Sequence, residues 1–267
     1  MKNNIKTVVI TGGFNGLGFS MSKTFRQKNF NVVISDSKKS NLDKLKKELL
    51  KIQGEGDIEL IVTDISKEKD IISLIKKVKD KFGKIDYWIN NAGINQEQKE
   101  VWELKEKDIV NIINSNMVGN IIATKEIVKV MLEQETGSIY TILGYDKKNK
   151  LIDSSLYNSI NSGLNYFLTD LAKKLEQNKK DIIIGKIYPG VVNTNFLKKQ
   201  KNNKLYDIYV EDTDKVAKYI VNRILNNTNN NVDISYLNGR KKINKKIKYK
   251  FSKRKGTKWY YYLSSTH

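Results

Sequence analysis

Short apolar segments alternate along the chain with longer segments in which apolar residues recur at spacings of three and four. The short segments predict seven β-strands, near Thr7, Val32, Leu60, Tyr87, Ser138, Ile183 and Ile234. The longer segments predict helices over residues 17–28, 41–52, 68–82, 108–132, 155–177 and 213–225. Strands separated by helices imply an α/β fold, a doubly wound parallel sheet with right-handed crossovers.

A glycine-rich turn joins the first predicted strand to the first predicted helix. Gly12 would let the chain turn sharply, Gly16 would let the backbone approach a pyrophosphate, and Gly18 would let the helix lie close to the sheet. The N–H groups at the helix N-terminus would hold the phosphate. An ordinary tight turn is the alternative, but the position between strand and helix favours a dinucleotide-binding loop.

The second predicted strand ends in Asp36, whose carboxylate could accept hydrogen bonds from the adenosine ribose and repel a 2′-phosphate. This favours NAD(H) as the cofactor. Lys38 and Lys39 follow closely and could accept a phosphate, so NADP(H) is the alternative. A solvated loop would also account for all three side chains.

The glycine loop and three later motifs resemble those of the short-chain dehydrogenase/reductase (SDR) family. The loop Thr11-Gly-Gly-Phe-Asn-Gly-Leu-Gly18 is similar to the family's Thr-Gly-x-x-x-Gly-x-Gly, and Asp64 matches its adenine-contacting aspartate. Asn90-Asn-Ala-Gly93 matches its Asn-Asn-Ala-Gly segment, and Pro189-Gly-Val-Val-Asn-Thr194 matches the segment that closes over the nicotinamide.

This resemblance implies a Rossmann-type single domain over residues 1–238. It also implies a cofactor site formed by Gly12, Phe14, Asn15, Gly16, Leu17, Gly18, Asp36, Ser37, Asp64, Ile65, Asn91, Ala92, Gly93, Tyr157, Asn161, Pro189, Gly190, Val192 and Thr194.

Catalysis in this family is implied to depend on an asparagine, a serine, a tyrosine and a lysine. Asn116 and Tyr157 match the asparagine and the tyrosine, which would order a water and transfer the proton. Gly144 stands at the serine position and Asn161 at the lysine position. The sequence therefore predicts a degenerate catalytic tetrad beside an intact cofactor site.

The two replacements have physical consequences for proton transfer. A free tyrosine has a pKa of about 10, and a nearby cation would lower it toward neutral pH. Asn161 can hydrogen-bond a ribose, but it carries no charge. Losing an oxyanion donor costs about 10²- to 10³-fold in rate, and mistuning an acid or base costs up to about 10⁴-fold.

Composition excludes several other chemistries. Cysteine is absent and His267 is the only histidine, so disulfides, thiol chemistry, histidine catalysis and a His/Cys zinc site are not expected, and we predict no metal site. No apolar run approaches the ~20 residues of a membrane span, and the first strand begins near Ile5. We therefore expect neither a signal peptide nor a membrane span, and a cytoplasmic location.

The C-terminal extension, residues 239–267, is strongly basic. Residues 240–267 contain eleven Lys and Arg and no acid, in a chain of net charge +20, and include the aromatic cluster Trp259 to Tyr262. Cations with interfacial aromatics are typical of segments that bind an anionic membrane surface, which would make the protein peripheral at a membrane. Nucleic acid is a less favoured partner, and a solvated lysine-rich tail is the alternative to both.

We predict an NAD(H)-binding SDR-like protein with low or altered oxidoreductase activity on a hydroxyl or carbonyl group, in which Tyr157 is the remaining acid/base. The alternatives are a catalytically inactive subunit with a structural, regulatory or cofactor-sensing role, and a biosynthetic enzyme with non-redox chemistry. The apolar surplus on the helices over residues 108–132 and 155–177 predicts a homo-oligomer or a pair with a paralogous SDR.

Overall fold

The predicted strands form a seven-stranded parallel sheet in a computed structural model that describes residues 5–37, 42–94, 99–144, 154–194 and 208–254. The strands are β1 (Thr7–Thr11), β2 (Asn31–Asp36), β3 (Ile58–Val62), β4 (Tyr87–Asn90), β5 (Thr136–Ile142), β6 (Asp181–Tyr188) and β7 (Val232–Ser235). Their order is β3-β2-β1-β4-β5-β6-β7, and Val8 of β1 pairs with Val32 on one side and Tyr87 on the other. The winding direction reverses between β1 and β4, which opens a crevice at the carboxyl ends of these strands.

Helices cover both faces of the sheet. They are α1 (Gly16–Gln27), α2 (Leu42–Leu50), α3 (Glu68–Phe82), α4 (Glu106–Ile113), α5 (Gly119–Glu133), α6 (Ser155–Gln177), α7 (Thr213–Leu225) and α8 (Gly239–Arg254). The apolar side chains of α1 and α7 form one core cluster, and those of α3, α5 and α6 form the other. Because both faces are covered, the central strands are apolar along their length, and every residue of β1 is buried. The predicted fold class is confirmed.

The helix predicted over residues 108–132 is present, but it contains a π-helical turn that the sequence analysis did not predict. Helix α4 ends at Ile113, a π-helical turn spans Asn114–Val118, and α5 begins at Gly119. Within the wide turn, the side chain of Asn116 accepts a hydrogen bond from the N–H of Ile94 at 2.7 Å and donates to its carbonyl oxygen at 2.8 Å. These bonds to the loop after β4 favour the wider turn, a distortion that often occurs at functional sites.

The C-terminal extension begins with helix α8, which follows β7 directly and carries no acidic residue in its first turn. Residues 255–267, including the aromatic cluster, lie outside the described residues. In the described ranges, every helix is too short or too polar to span a lipid bilayer.

Candidate active site

A cavity of about 300 Å³ lies at the carboxyl ends of the central strands and contains most of the predicted site. Of the predicted residues, the lining comprises Gly12, Asn15, Gly16, Leu17, Asp36, Ser37, Asp64, Ile65, Asn91, Ala92, Gly93, Asn116, Gly144, Tyr157, Asn161, Pro189, Gly190, Val192 and Thr194. Phe14 and Gly18 do not line it. Phe14 is buried in the core, and Gly18 supports the loop from behind, because a Cβ there would lie 2.6 Å from Nδ2 of Asn91.

The glycine loop has the backbone conformation that its sequence predicts. Gly12 has a φ of +62°, and a Cβ at this position would lie 2.6 Å from the Cα of Ala92. Helix α1 begins at Gly16, and among the described residues no side chain caps its N-terminus. The first N–H groups of α1 are therefore directed at the cavity without a capping side chain, as a phosphate site requires.

Asn91 joins the glycine loop to the loop after β4. Its Nδ2 donates to the carbonyl oxygens of Thr11 at 3.0 Å and Gly12 at 2.8 Å. The hydroxyl oxygen of Thr11 in turn accepts hydrogen bonds from the N–H groups of Asn91 and Ala92, both at 3.1 Å. These contacts hold the two sides of the crevice in a fixed relation before any ligand binds.

Two carboxylates occupy the end of the cavity where the resemblance places the adenosine. Asp36 is half-buried at the end of β2. Asp64 accepts hydrogen bonds from the N–H and hydroxyl of Ser66, and burial, which alone would raise its pKa, is outweighed by these bonds and by Lys67, so its pKa is lowered. Lys38 and Lys39, the predicted alternative phosphate ligands, lie outside the described residues.

At the other end of the cavity, Asn161 holds helix α6 to the end of β5. Its Oδ1 accepts a hydrogen bond from the N–H of Gly144 at 3.1 Å, and its Nδ2 donates to the carbonyl oxygen of Tyr157 at 2.9 Å. Gly144 and Asn161 are both buried. The amide at the lysine position therefore makes a structural connection, and part of its hydrogen-bonding capacity is already used.

Tyr157 is half-buried one helical turn before Asn161. Burial raises the pKa of the Tyr157 phenol, and a hydrogen bond with the side chain of Asn161 opposes this only in part. The described residues that line the cavity include no Lys, Arg or His, in a chain of net charge +20. Within the described part of the chain, no cation lines the cavity to lower the pKa of this phenol.

Asn116 is engaged through both its side chain and its main chain. In addition to the two bonds with Ile94, its carbonyl oxygen accepts a hydrogen bond from Nδ2 of Asn120 at 2.7 Å. Asn120 is buried and lines the cavity. The main-chain carbonyl oxygen of Asn116 is therefore already bonded to a side chain of the cavity wall.

Sequence reasoning missed six lining residues: Thr63, Ile94, Ser115, Asn120, Ile142 and Leu164. Ile94 directly follows the motif residue Gly93, and Ile142 is the last residue of β5, so their positions could have indicated them. The sequence gives no such signal for Asn120, which lies near the start of α5, directly after the π-helical turn and its following glycine.

Comparison with known proteins shows the class of this protein. The chain matches the short chain dehydrogenase family over residues 6–205, and it belongs to that family. A probable chlorophyll(ide) b reductase of Oryza sativa subsp. japonica is 27% identical over 239 residues, which cover 82% of this chain and 47% of the relative. The chain thus spans about half of that relative's length.

Solved structures of similar fold carry nicotinamide cofactors. A 3-ketoacyl-(acyl-carrier-protein) reductase from Brucella melitensis, complexed with NADH, superposes with a TM-score of 0.78 at 22% identity, covering 88% of this chain and 98% of the other. An actinorhodin polyketide ketoreductase with NADPH gives a TM-score of 0.78 at 19% identity, covering 90% and 98%. At these identities the likeness concerns the fold.

Proposed function

We propose that this protein binds NAD(H) in the cavity and reduces a carbonyl group slowly, with Tyr157 as the proton donor. The observation that carries the proposal is the contrast between the two ends of the cavity. The glycine loop and the N-terminus of α1 form a dinucleotide cradle, whereas the described catalytic end has no cation and no serine hydroxyl at position 144.

NAD(H) is favoured over NADP(H) by Asp36, which lines the cavity at the end of β2. A 2′-phosphate there would meet a carboxylate at close range, whereas ribose hydroxyls would donate to it. The phosphates themselves would rest on the N-terminus of α1, because the described cavity wall offers them no basic side chain.

The bound cofactor would supply the hydride, and the residues of the chain would manage the proton. At neutral pH the raised pKa keeps Tyr157 protonated, so its hydroxyl can donate to a substrate oxygen as negative charge develops there. The reverse reaction needs Tyr157 as a phenolate, which is scarce below its pKa. Below this pKa we therefore expect the rate of reduction to be independent of pH and the rate of oxidation to fall with pH, and the three relatives described above are reductases by name.

The test compares both directions over pH, using NADH with a panel of ketones and NAD⁺ with a panel of secondary alcohols. Reduction should be slow and nearly independent of pH between about 6 and 9, whereas oxidation should rise about tenfold per pH unit, as the phenolate fraction does. Tyr157→Phe should abolish both. Turnover that survives Tyr157→Phe would contradict the assignment of the proton donor.

An inactive cofactor-binding subunit is the second candidate. It is favoured by Asn161, an uncharged side chain that joins the N–H of Gly144 to the carbonyl oxygen of Tyr157 at the position where the family has a lysine. Micromolar NADH binding without turnover on any panel member, in either direction, would support this candidate over a slow reductase.

A further inference from the structure

Helix α8 contacts the body of the protein through its first two turns. Asn238 caps the helix, because its Oδ1 accepts a hydrogen bond from the N–H of Lys241 at 2.9 Å. The ammonium of Lys241 lies 3.7 Å from the ring centroid of Tyr236 and 4.3 Å from that of Tyr219. These contacts hold the start of the basic extension against α7 and against the residue that follows β7.

Lys245, one turn further along α8, contacts the chain just before α7. Its Nζ donates to the carbonyl oxygen of Val210 at 2.9 Å and lies 3.1 Å from Oε2 of Glu211. Both charged side chains are mostly buried, at 20% exposure for Lys245 and 14% for Glu211. Glu211 also accepts a hydrogen bond from the hydroxyl of Tyr236 at 3.0 Å and pairs with Lys215 at 3.2 Å.

The main chain of Glu211 continues this connection into the cofactor cavity. Its N–H donates to the carbonyl oxygen of Val191 at 2.9 Å, and its carbonyl oxygen accepts from the N–H of Asn193 at 3.0 Å. The residue between them, Val192, lines the cavity, as do Gly190 and Thr194. One residue thus contacts α8 through its side chain and the cavity wall through its main chain.

A second contact joins the same wall to the start of the extension. Gly190 has a φ of +76°, and a Cβ there would lie 2.7 Å from Cγ of Leu237, the residue before the cap of α8. Helix α7 adds a third contact, because the hydroxyl of Thr213 donates to the carbonyl oxygen of Asn193 at 2.9 Å. The wall formed by Gly190–Thr194 is therefore supported from behind by Thr213 of α7, by Leu237 and, through Glu211, by Lys245 of α8.

We propose that Lys245 and Glu211 are positioning residues, through which helix α8 holds the wall Gly190–Thr194 in the conformation that binds the cofactor. The extension then acts on the cofactor site indirectly. Removing it weakens NADH binding without removing a side chain that contacts the cofactor. The expected loss of NADH affinity rests on the proposed function, whereas the stabilisation of the wall by α8 does not.

The perturbation is Lys245→Met, which removes the ammonium and keeps the length of the stem. The matched control is Lys246→Met, the same change at the next residue, whose side chain is exposed. Lys245→Arg restores a cation, and Glu211→Gln removes the partner charge. A hydrogen bond to a charged group supports roughly a tenfold effect when fully transmitted, so we expect Lys245→Met to weaken NADH binding by about three- to tenfold.

Two measurements separate the parts of the proposal. Fluorescence titration with NADH gives the affinity of the full-length variants, and NMR-detected hydrogen exchange without NADH gives the protection of the Asn193 and Glu211 amides. We expect weaker binding and faster exchange for Lys245→Met and Glu211→Gln, native behaviour for Lys246→Met, and recovery in Lys245→Arg. Thermal unfolding identifies any variant that has lost its global fold, and if Lys245→Met has done so, Glu211→Gln against native carries the comparison.

Equal affinity and equal exchange in Lys245→Met and Lys246→Met would overturn the proposal. If the native protein binds no NADH, the proposed function fails, and the exchange data alone then test the contact between α8 and the wall. Faster exchange at Asn193 and Glu211 in Lys245→Met would show that α8 stabilises the wall. Unchanged exchange would refute this.

Discussion

A lysine at position 161 would place a cation one helical turn from Tyr157, where the native chain has a buried amide. An opposite charge within about 4–6 Å lowers the pKa of an acid by about 1 to 3 pH units. In the native protein, burial raises the pKa of Tyr157 above its ordinary value of 10.0. Asn161→Lys should therefore lower the pKa of Tyr157 and raise its phenolate fraction at neutral pH by about 10- to 1000-fold.

The same substitution has a structural cost that can be worked from the contacts of Asn161. The amide accepts a hydrogen bond from the N–H of Gly144 at 3.1 Å and donates to the carbonyl oxygen of Tyr157 at 2.9 Å. A buried N–H left without a partner costs about 1–3 kcal/mol. We expect Asn161→Lys to lower the free energy of unfolding by about this amount, and Asn161→Met, the uncharged control, to do the same.

The pKa can be measured without knowing the substrate. Tyrosinate absorbance over pH, taken as the difference between each protein and its Tyr157→Phe counterpart, isolates this one phenol from the other tyrosines. Only Asn161→Lys should move the titration to lower pH, whereas both variants should lose stability. If native Tyr157 titrates below 10, or if Asn161→Lys and Asn161→Met titrate together, the reasoning about the missing cation is refuted.

Three further predictions concern cofactor choice, assembly and the tail. Asp36→Ala should narrow the preference for NADH over NADPH by about 1–3 kcal/mol in calorimetric titration, and native preference for NADPH would contradict the role of this carboxylate. The exposed rings of Trp102 and Tyr166, at 80% and 77% exposure, predict self-association or pairing with a paralogue, and replacing either with serine should weaken association at least about tenfold by light scattering. A native protein that stays monomeric, both alone and when mixed with a paralogue, would exclude the predicted association. A chain ending at residue 254 should bind anionic vesicles more weakly than the full chain at low salt, with RNA binding measured alongside, and equal vesicle binding would show that residues 255–267 are not required.

The sheet could be predicted from the sequence because its central strands are buried on both faces. A strand in that environment is a short apolar run, and the seven runs fall where β1 to β7 lie. The interruption between α4 and α5 could not be predicted in this way. The distortion is associated with the bonds between Asn116 and Ile94, 22 residues away in the chain, which no local pattern reveals.

At the catalytic end of the site, the sequence predicted which residues line the cavity, but it could not predict the hydrogen bonds that they make. The spacing of Tyr157 and Asn161 places both on one side of α6, and the cavity contains both. The sequence suggested that Asn161 would bond a ribose, because that is what a side chain at this position can do in the family. Its bonds to Gly144 and Tyr157 depend on the distance between α6 and β5, which is set by tertiary packing.

The chemistry of the amide explains how the site keeps its shape without the lysine. A lysine donates hydrogen bonds but accepts none, so it could not satisfy the N–H of Gly144, whereas an asparagine can accept from Gly144 and donate to Tyr157 at once. The residue at 161 therefore supports the geometry of the pocket without placing a cation beside the phenol.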